Sequence, residues 1–190
     1  MAKQKAKTTG RAAKKTAKRP VKRAARRAAP KRKAAAKAAP STAAKKAEIQ
    51  PYLCCKGAAA ALDFYARAFG AVETLRIAAK DGSIGHAGIA IEGAELMLSD
   101  EWPDGGVFSP HTLGGSPVTV HLLVKNVDAL VSRAEKAGAT VVRPPQDQPY
   151  GDRSATLRDP YGHRWMIATR QEDVSKEEME RRFGGAYLVT

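Results

Sequence analysis

One order of predicted elements occurs twice in this chain, and this repetition constrains the fold more than any other feature. Apolar residues recur every three or four positions in a half-buried helix and every second position in a half-buried strand. On this basis the first copy consists of a strand, a helix and three strands over 48–55, 58–70, 72–79, 84–93 and 94–100. The second copy has the same order over 118–124, 126–138, 140–144, 153–159 and 163–170.

Corresponding residues of the two copies keep a nearly constant spacing. Leu62 and Leu130 in the predicted helices are 68 positions apart, and Gly93 and Gly162 in the predicted hairpins are 69 apart. Self-similarity at a fixed spacing indicates an internal duplication. The sequence therefore predicts an α+β fold built from two βαβββ modules, residues 48–104 and 117–172.

Charge divides the chain at residue 47. The 190 residues include 33 Lys and Arg and 19 Asp and Glu, a net charge of +14. Residues 1–47 contain 18 of the basic residues and no acidic one, so the other 15 basic and all 19 acidic residues leave the remainder at −4. We expect a basic tail over 1–47, a mildly acidic domain over 48–172, and a C-terminal helix and tail over 173–190. Ser175 and Glu178 have the spacing of a capping box for that helix.

The basic tail lacks the apolar side chains that a packed core needs. Pro20, Pro30 and Pro40 end three related decapeptides, each too short to hold a helix in water. We therefore expect the free tail to be disordered. Because Lys and Arg neutralise phosphates, it is predicted to bind DNA or RNA without sequence preference. The basic residues assigned to this polyanion contact are Lys14, Lys15, Lys18, Arg19, Lys22, Arg23, Arg26, Arg27, Lys31, Arg32 and Lys33.

The tail repeats resemble the Lys/Ala/Pro tails of linker histones and of some bacterial histone-like proteins. The resemblance is one of composition and is confined to the tail. A solubilising extension, an acidic protein partner and anionic lipid remain alternatives.

The cysteines and the termini bear on the compartment. Cys54 and Cys55 are adjacent and cannot form a disulfide scaffold, so free thiols in a reducing compartment are expected. No apolar run approaches the roughly 18 residues of a membrane span, and the N-terminus lacks the apolar stretch of a secretory signal. We expect a cytoplasmic protein, associated with the nucleoid if the tail binds DNA.

Several ordered motifs of the domain resemble one family. They are ALDFYARAFGA (61–71), LGGSPVTVHLLVKNVDAL (113–130), DPYGHRW (159–165) and EDVSKEEMERR (172–182). Together with the duplication they resemble the vicinal oxygen chelate superfamily, the glyoxalase and bleomycin-resistance group, and in particular its PhnB-like branch. The resemblance implies two modules that form an incomplete barrel, with helices outside and a ligand cavity inside. It also implies a homodimer, since members are commonly dimers.

The same resemblance identifies four positions that hold a metal in the metal-dependent members. These are a His or Gln on the first strand of each module and a Glu on each last strand. In this chain they are occupied by Gln50, Thr119, Met97 and Met166. Thioethers are soft ligands, whereas divalent cations such as Zn²⁺ are held by imidazole and carboxylate groups. We therefore expect no metal and no other cofactor, which argues against a glyoxalase-type isomerase or an iron dioxygenase.

Strand alternation extends these positions to a predicted cavity lining. The residues are Gln50, Tyr52, Cys54, His86, Met97, Thr119, His121, Arg164 and Met166. His121 is the candidate catalytic residue, because imidazole can act as acid or base near neutral pH. The alternatives are a structural, hydrogen-bonded His and a metal bound by His86, His121 and an acid such as Glu95. Cys54 is expected to be inert, the alternative being a nucleophile activated by His121.

The segment between the modules is the predicted lid. Residues 101–117 are rich in Gly and Pro and include Trp102, Phe108 and His111. A mobile loop with aromatic contacts suits this composition. An ordinary crossover between the modules is the alternative.

Three functions follow from these features. The leading hypothesis is a PhnB-like protein that binds a small molecule without a metal and carries a tail that binds nucleic acid. The first alternative is a lyase, isomerase or transferase that uses His121. The second is a nucleoid-associated protein whose domain serves as a dimerisation platform.

Overall fold

The computed structural model describes residues 48–189. The predictions for residues 1–47, both the disorder and the basic residues assigned to polyanion binding, lie outside this part of the chain. The strands are β1 Tyr52–Cys55, β2 Val72–Ala78, β3 Ile84–Ile91, β4 Ala94–Asp100, β5 Thr119–Leu123, β6 Thr140–Asp147, β7 Asp152–Arg158 and β8 Arg164–Arg170. The helices are α1 Ala58–Phe69, α2 Pro110–Leu113, α3 Val127–Ala137 and α4 Lys176–Arg182.

The strands form two four-stranded sheets of the same topology. Sheet 1 has the order β1-β4-β3-β2 and sheet 2 the order β5-β8-β7-β6. In each, the first strand pairs in parallel with the last, and the other pairs are antiparallel. The two mixed sheets are not closed into a barrel. The predicted α+β fold of two βαβββ modules is confirmed.

The register of the sheets follows the 69-residue spacing. Tyr52 is opposite Met97 in sheet 1, and their counterparts His121 and Met166 are opposite each other in sheet 2. Both module helices end where the sequence predicts, because Gly70 and Gly138 adopt left-handed conformations with φ of 69° and 117°.

Aromatic side chains and one buried acid join the modules. Tyr65 and Phe69 of α1 lie against Trp165 of β8, with ring centroids 5.7 and 4.8 Å apart. Oδ2 of Asp159 accepts hydrogen bonds from the Tyr65 hydroxyl (2.7 Å) and from Nε1 of Trp165 (2.9 Å). Its Oδ1 accepts from two backbone N–H groups of the turn that follows. Burial of a carboxylate is costly without such donors, so these contacts fix how the modules pack.

The first N–H group of each module helix donates a hydrogen bond to a side chain on the last strand of the same module, β4 or β8. Oδ1 of Asp100, at the end of β4, accepts from the N–H of Ala58 at 2.7 Å. Sixty-nine residues further on, Oγ1 of Thr169 in β8 accepts from the N–H of Val127 at 2.8 Å. The duplication therefore preserves this contact although the accepting residue differs.

Some elements differ from their predicted bounds. β6 is longer than the predicted 140–144 because it continues through Pro144 and Pro145. Prolines are tolerated there because β6 is an edge strand, where a missing N–H need not break a ladder hydrogen bond. The inter-module segment is partly ordered, with a 3₁₀ turn at Pro103–Gly105 and the short helix α2.

The C-terminal helix forms one of the two hydrogen bonds of its predicted capping box, while the Glu178 carboxylate accepts from Arg181 and Arg182 instead. The Ser175 hydroxyl oxygen accepts from the N–H of Glu178 at 3.2 Å, and α4 begins at the next residue after Ser175. Within 48–189, none of the helices has the length and apolar character that crossing a membrane requires.

Candidate functional site

Each sheet has one face against the helices and one that points away from them. We call the latter the open face. In sheet 1, Leu53, Cys55, Ile89 and Leu98 are buried toward the helices. The alternate residues form the open face, which includes Tyr52, Cys54, Leu75, Ile77, His86 and Met97. Apolar side chains are exposed there, since Tyr52, Leu75 and Ile77 are 49, 49 and 56 % exposed.

Four of the polar residues on the sheet 1 side are paired. The hydroxyl of Tyr52 and Nδ1 of His86 are hydrogen bonded at 2.9 Å. Nε2 of Gln50 donates to Oε2 of Glu95 at 2.9 Å. The structure thus places the predicted residues Tyr52 and His86 in contact and gives Gln50 an acidic partner.

A cavity of about 570 Å³ opens beside Tyr52. Its walls include Tyr52, Ile77, Ser99, Glu101, Trp102 and Val107. This volume lies within the range of small-molecule sites, roughly 300–1,000 Å³. The predicted lid residue Trp102 is therefore a wall of this cavity.

The indole of Trp102 is exposed yet held in place. Its side chain is 64 % exposed, and its backbone forms two hydrogen bonds with that of Val107, at 2.9 and 3.0 Å. Gly105 lies beneath the ring, where an added Cβ would be 2.3 Å from Cε3 of the indole. Only glycine at position 105 allows this placement of the ring.

Glu101 ties the same segment to the end of β4. Its Oε1 accepts from the N–H of Ser109, the residue before α2, at 2.7 Å. The Thr112 hydroxyl and then Ser109 stabilise the carboxylate and lower its pKa to about 2. The 101–113 segment is therefore anchored by an ionised carboxylate.

A second cavity, of about 380 Å³, lies on the other side of Tyr52 and Cys54. Phe108, Leu113, Val118 and His163 also line it. The third predicted lid residue, His111, hydrogen bonds through Nε2 to the carbonyl oxygen of Pro160 at 2.8 Å. The three predicted lid residues thus border different recesses.

The structure does not place His121 against a thiol. The imidazole beside the cysteines is that of His163, whose Nε2 lies 3.1 Å from the Cys54 carbonyl oxygen and 3.7 Å from Sγ of Cys55. Burial and the nearby carboxylates of Glu101 and Asp100 raise the pKa of Cys54. Burial also raises the pKa of Cys55 and lowers that of His163. This chemistry disfavours a thiolate nucleophile.

The remaining predicted residues lie on the open face of sheet 2. Thr119 is opposite Arg164, and His121 is opposite Met166. His121 also borders a recess of about 270 Å³ that includes Glu48 and Glu95. The predicted lining is thus divided between two sheets.

Gln50 and Thr119, the first-strand metal positions that the resemblance gives, lie beside different partners in the two modules. In sheet 1, Gln50 donates its amide N–H to Glu95. The residues 69 positions further on are Thr119 and Arg164, which lie opposite each other, and a guanidinium repels a cation. Within residues 48–189, no group of three His, Cys, Asp or Glu side chains is arranged to hold a metal.

Sequence reasoning missed the buried acid and part of the sheet 2 face. The pattern puts Asp159 at the end of the predicted strand 153–159 and gives it no further role, whereas in the structure it is 4 % exposed and accepts four hydrogen bonds. Arg143 and Arg158 share the open face with Arg164. The pairing of β7 with β8 could have related Arg158 to the predicted residue Arg164. Arg143 could not have been found by alternation, because a register shift separates it from Val141 in β6.

Comparison with known families agrees with this architecture. The profile of the Glyoxalase/Bleomycin resistance protein/Dioxygenase superfamily matches residues 47–167. A protein of Mycobacterium bovis described as uncharacterised is 43 % identical over 135 residues, which are 70 % of this chain and 89 % of that protein.

Two solved structures share the fold. TioX from Micromonospora sp. ML1 is 29 % identical with a TM-score of 0.52, covering 66 % of this chain and 99 % of TioX. A gene product of Arabidopsis thaliana is 26 % identical with a TM-score of 0.52, covering 65 % of this chain and 99 % of that one. Residues 1–46 precede the span that the family profile matches.

Proposed function

Because the chain belongs to the Glyoxalase/Bleomycin resistance protein/Dioxygenase superfamily, we propose that its domain binds a small molecule without a metal ion. We assign it to the PhnB-like branch on the motifs at 113–130 and 172–182. The proposed ligand contacts on sheet 1 are Tyr52, Cys54, His86 and Met97, with Trp102 as the aromatic wall.

One observation carries this proposal. The 570 Å³ cavity combines an exposed indole, which lies over Gly105, with the exposed side chains of Tyr52 and Ile77. Binding pockets are lined by apolar and aromatic groups with a few polar ones that fix orientation. Ser99, Glu101 and the Tyr52–His86 pair supply those polar groups.

The test is to identify what the protein retains from a cell extract. Full-length protein is incubated with the small-molecule fraction, separated by gel filtration and extracted for mass spectrometry. A retained compound should be lost in Trp102→Ala. It should persist in Tyr187→Ala, because both side chains are 64 % exposed but only Trp102 borders the cavity. Equal retention by the two variants would exclude this cavity as the binding site.

Metal independence has its own measurement. Elemental analysis of full-length protein purified without chelator should find zinc, nickel, manganese and iron each well below one per chain. A stoichiometric metal would contradict the proposal, because Gln50, Met97, Thr119 and Met166 would then need to be joined by other ligands.

We further propose that the protein is a homodimer. Large apolar side chains are exposed on both sheets, including Val72 at 65 % and Ile77 at 56 % on sheet 1 and Leu123 at 56 % on sheet 2. Contiguous exposed apolar surface commonly marks an interaction site. Light scattering should give twice the mass of 20.3 kDa, and the mass of a monomer would contradict this.

The second proposed activity belongs to residues 1–47, which bind DNA or RNA without sequence preference. The charge of this segment carries the proposal, since it has 18 basic and no acidic residues. It has no aromatic side chain for base stacking. If about ten charges contact duplex DNA, the slope of log affinity against log salt is about −9.

Substitution in the full-length chain tests this activity. Replacing Lys14, Lys15, Lys18 and Arg19 by Gln should reduce the magnitude of the slope by roughly 4 on the same scaling. The matched control replaces Arg67, Lys80, Lys125 and Lys136 of the domain. Binding that falls equally in both variants, or that depends on base sequence, would contradict the proposal.

A further inference from the structure

Three arginines share the open face of sheet 2. Arg158 of β7 and Arg164 of β8 lie directly opposite each other. Arg143 of β6 lies opposite Thr156, two residues before Arg158 and on the same face. All three side chains belong to exposed residues.

This placement opposes the stability of the sheet. Directly opposite residues on antiparallel strands have Cβ atoms about 4.5–5.5 Å apart, and like charges in that relation are destabilising. Departures from local rules of this kind are expected where a site has a function. The Arg158–Arg164 pair is therefore a candidate for binding.

The three guanidinium groups are also free of protein partners in the described part of the chain. Arg143, Arg158 and Arg164 make no ion pair there. Neighbouring arginines of the same strands are paired, Arg153 with Asp128 and Asp147 and Arg170 with Asp152. The two carboxylates of β6 and β7, those of Asp147 and Asp152, thus form ion pairs with arginines other than these three.

Room and further donors adjoin the arginines. Arg158 borders a recess of about 230 Å³ with His111, Gly114 and Gly162. Arg143 borders a smaller one, of about 100 Å³, with Gln146 and Thr156. The two recesses are separate and Arg164 borders neither of them, so the surface that an oxygen-rich group would occupy is the one between the paired Arg158 and Arg164, beside the larger recess.

We propose that Arg143, Arg158 and Arg164 bind the oxyanionic group, a phosphate or a carboxylate, of a small molecule. The planar guanidinium forms two parallel hydrogen bonds to either group. The proposal rests on small-molecule binding by the domain and adds a chemical class for the ligand. The proposal also gives a role to a charge reversal between the modules. Arg164 of the second module is equivalent to Glu95 of the first, 69 residues earlier.

The test titrates inorganic phosphate, pyrophosphate and succinate into full-length protein and follows the melting temperature at constant ionic strength. A ligand of the folded domain raises its melting temperature, whereas an anion bound only to the tail does not stabilise the domain. The double variant Arg158→Gln/Arg164→Gln should bind at least tenfold more weakly, since hydrogen bonds to charged groups contribute about 1.5–3 kcal/mol. Arg143→Gln alone should produce a smaller loss of affinity.

The matched control is Arg67→Gln/Lys80→Gln, which removes two exposed charges from the other module. It should bind within twofold of the unsubstituted protein. Stronger stabilisation by phosphate and pyrophosphate would identify a phosphate ester, and stronger stabilisation by succinate a carboxylate.

Three results would overturn the proposal. The first is that none of the three anions raises the melting temperature. The second is that the control variant loses as much affinity as the double variant. The third is that no anion binds and that the double variant differs in mass from the parent by light scattering. The last would assign the arginines to a protein interface. The retention experiment with Trp102→Ala tests the sheet 1 cavity separately. A failed anion titration would therefore contradict the arginine site but not small-molecule binding by the domain.

Discussion

The Tyr65 hydroxyl of α1 donates a 2.7 Å hydrogen bond to the Asp159 carboxylate, which lies 94 residues away in the other module. Both residues are buried, and Nε1 of Trp165 donates to the same oxygen. The contact therefore couples the stability of one module to that of the other.

Removing this hydroxyl should destabilise the whole domain. Tyr65→Phe leaves a buried carboxylate with one donor fewer, which costs about 1.5–3 kcal/mol. Urea unfolding of the full-length protein measures the change in the free energy of unfolding. Tyr187→Phe, at an exposed position, serves as the control and should change it by less than about 0.5 kcal/mol. Similar values for the two variants would show that the Tyr65–Asp159 bond contributes nothing to stability.

Gly105→Ala should displace the indole of Trp102 without unfolding the domain. The added methyl group would overlap the ring at 2.3 Å, and the ring is at the surface, where it can move. We expect a shift in the fluorescence of the exposed tryptophan and loss of the retained compound. Gly115→Ala is the control, because its methyl group would meet nothing within 4 Å. An unchanged emission spectrum in Gly105→Ala would refute the proposed support of the ring.

The anchor at Glu101 should be released by acid. Its pKa is lowered from 4.5 to about 2, so the stabilisation is complete above pH about 4.5 and is lost as the pH falls toward 2. The measurement is the rate of proteolysis within 101–117 between pH 5 and 2, with an acid-stable protease. Glu101→Gln lacks the carboxylate and should already be cleaved faster at pH 5. If proteolysis of Glu101→Gln still accelerates as the pH falls from 5 to 2, as in the parent, the titrating group is not Glu101.

The two cysteines should differ in their reaction with iodoacetamide. Cys54 is partly accessible with a raised pKa, so it should react more slowly than a free thiol at pH 7.5 and faster as the pH approaches 9. Cys55 is 0 % exposed and should react only on unfolding. Mass spectrometry of Cys54→Ser should find no label in the native state. Rapid labelling at neutral pH would contradict this account and favour an activated thiol.

Local rules account for most of the fold. Gly70 and Gly138 end helices because only glycine adopts a left-handed conformation without strain, and this requirement is visible in sequence. The constant spacing of Leu62 and Leu130 specified the duplication before any contact was known. β6 was harder to predict, because Pro144 and Pro145 are compatible with a strand only at an edge, and strand order is not a local property.

The candidate site was less predictable than the fold. Alternation placed Tyr52 and His86 on one face, but their hydrogen bond spans β4 and depends on register. The role of Asp159 could not be predicted, because one of its donors, the Tyr65 hydroxyl, is 94 residues distant in the sequence. The charge of Arg158 points to a binding role only because Arg164 lies opposite it and because, among the ion pairs of residues 48–189, neither arginine has a partner.

The hydrogen bonds that the N–H of Ala58 donates to Asp100 and the N–H of Val127 donates to Thr169 join residues 42 positions apart in both modules. Each module is therefore a closed loop of chain, in which the helix is complete only after the last strand has been synthesised and paired. A break within such a loop deprives the helix of its first hydrogen-bond acceptor, whereas a break between the loops does not. The natural unit for recombination or circular permutation is thus the whole module, with new termini placed in the crossover at 114–116, beyond the anchored residues Ser109 and His111.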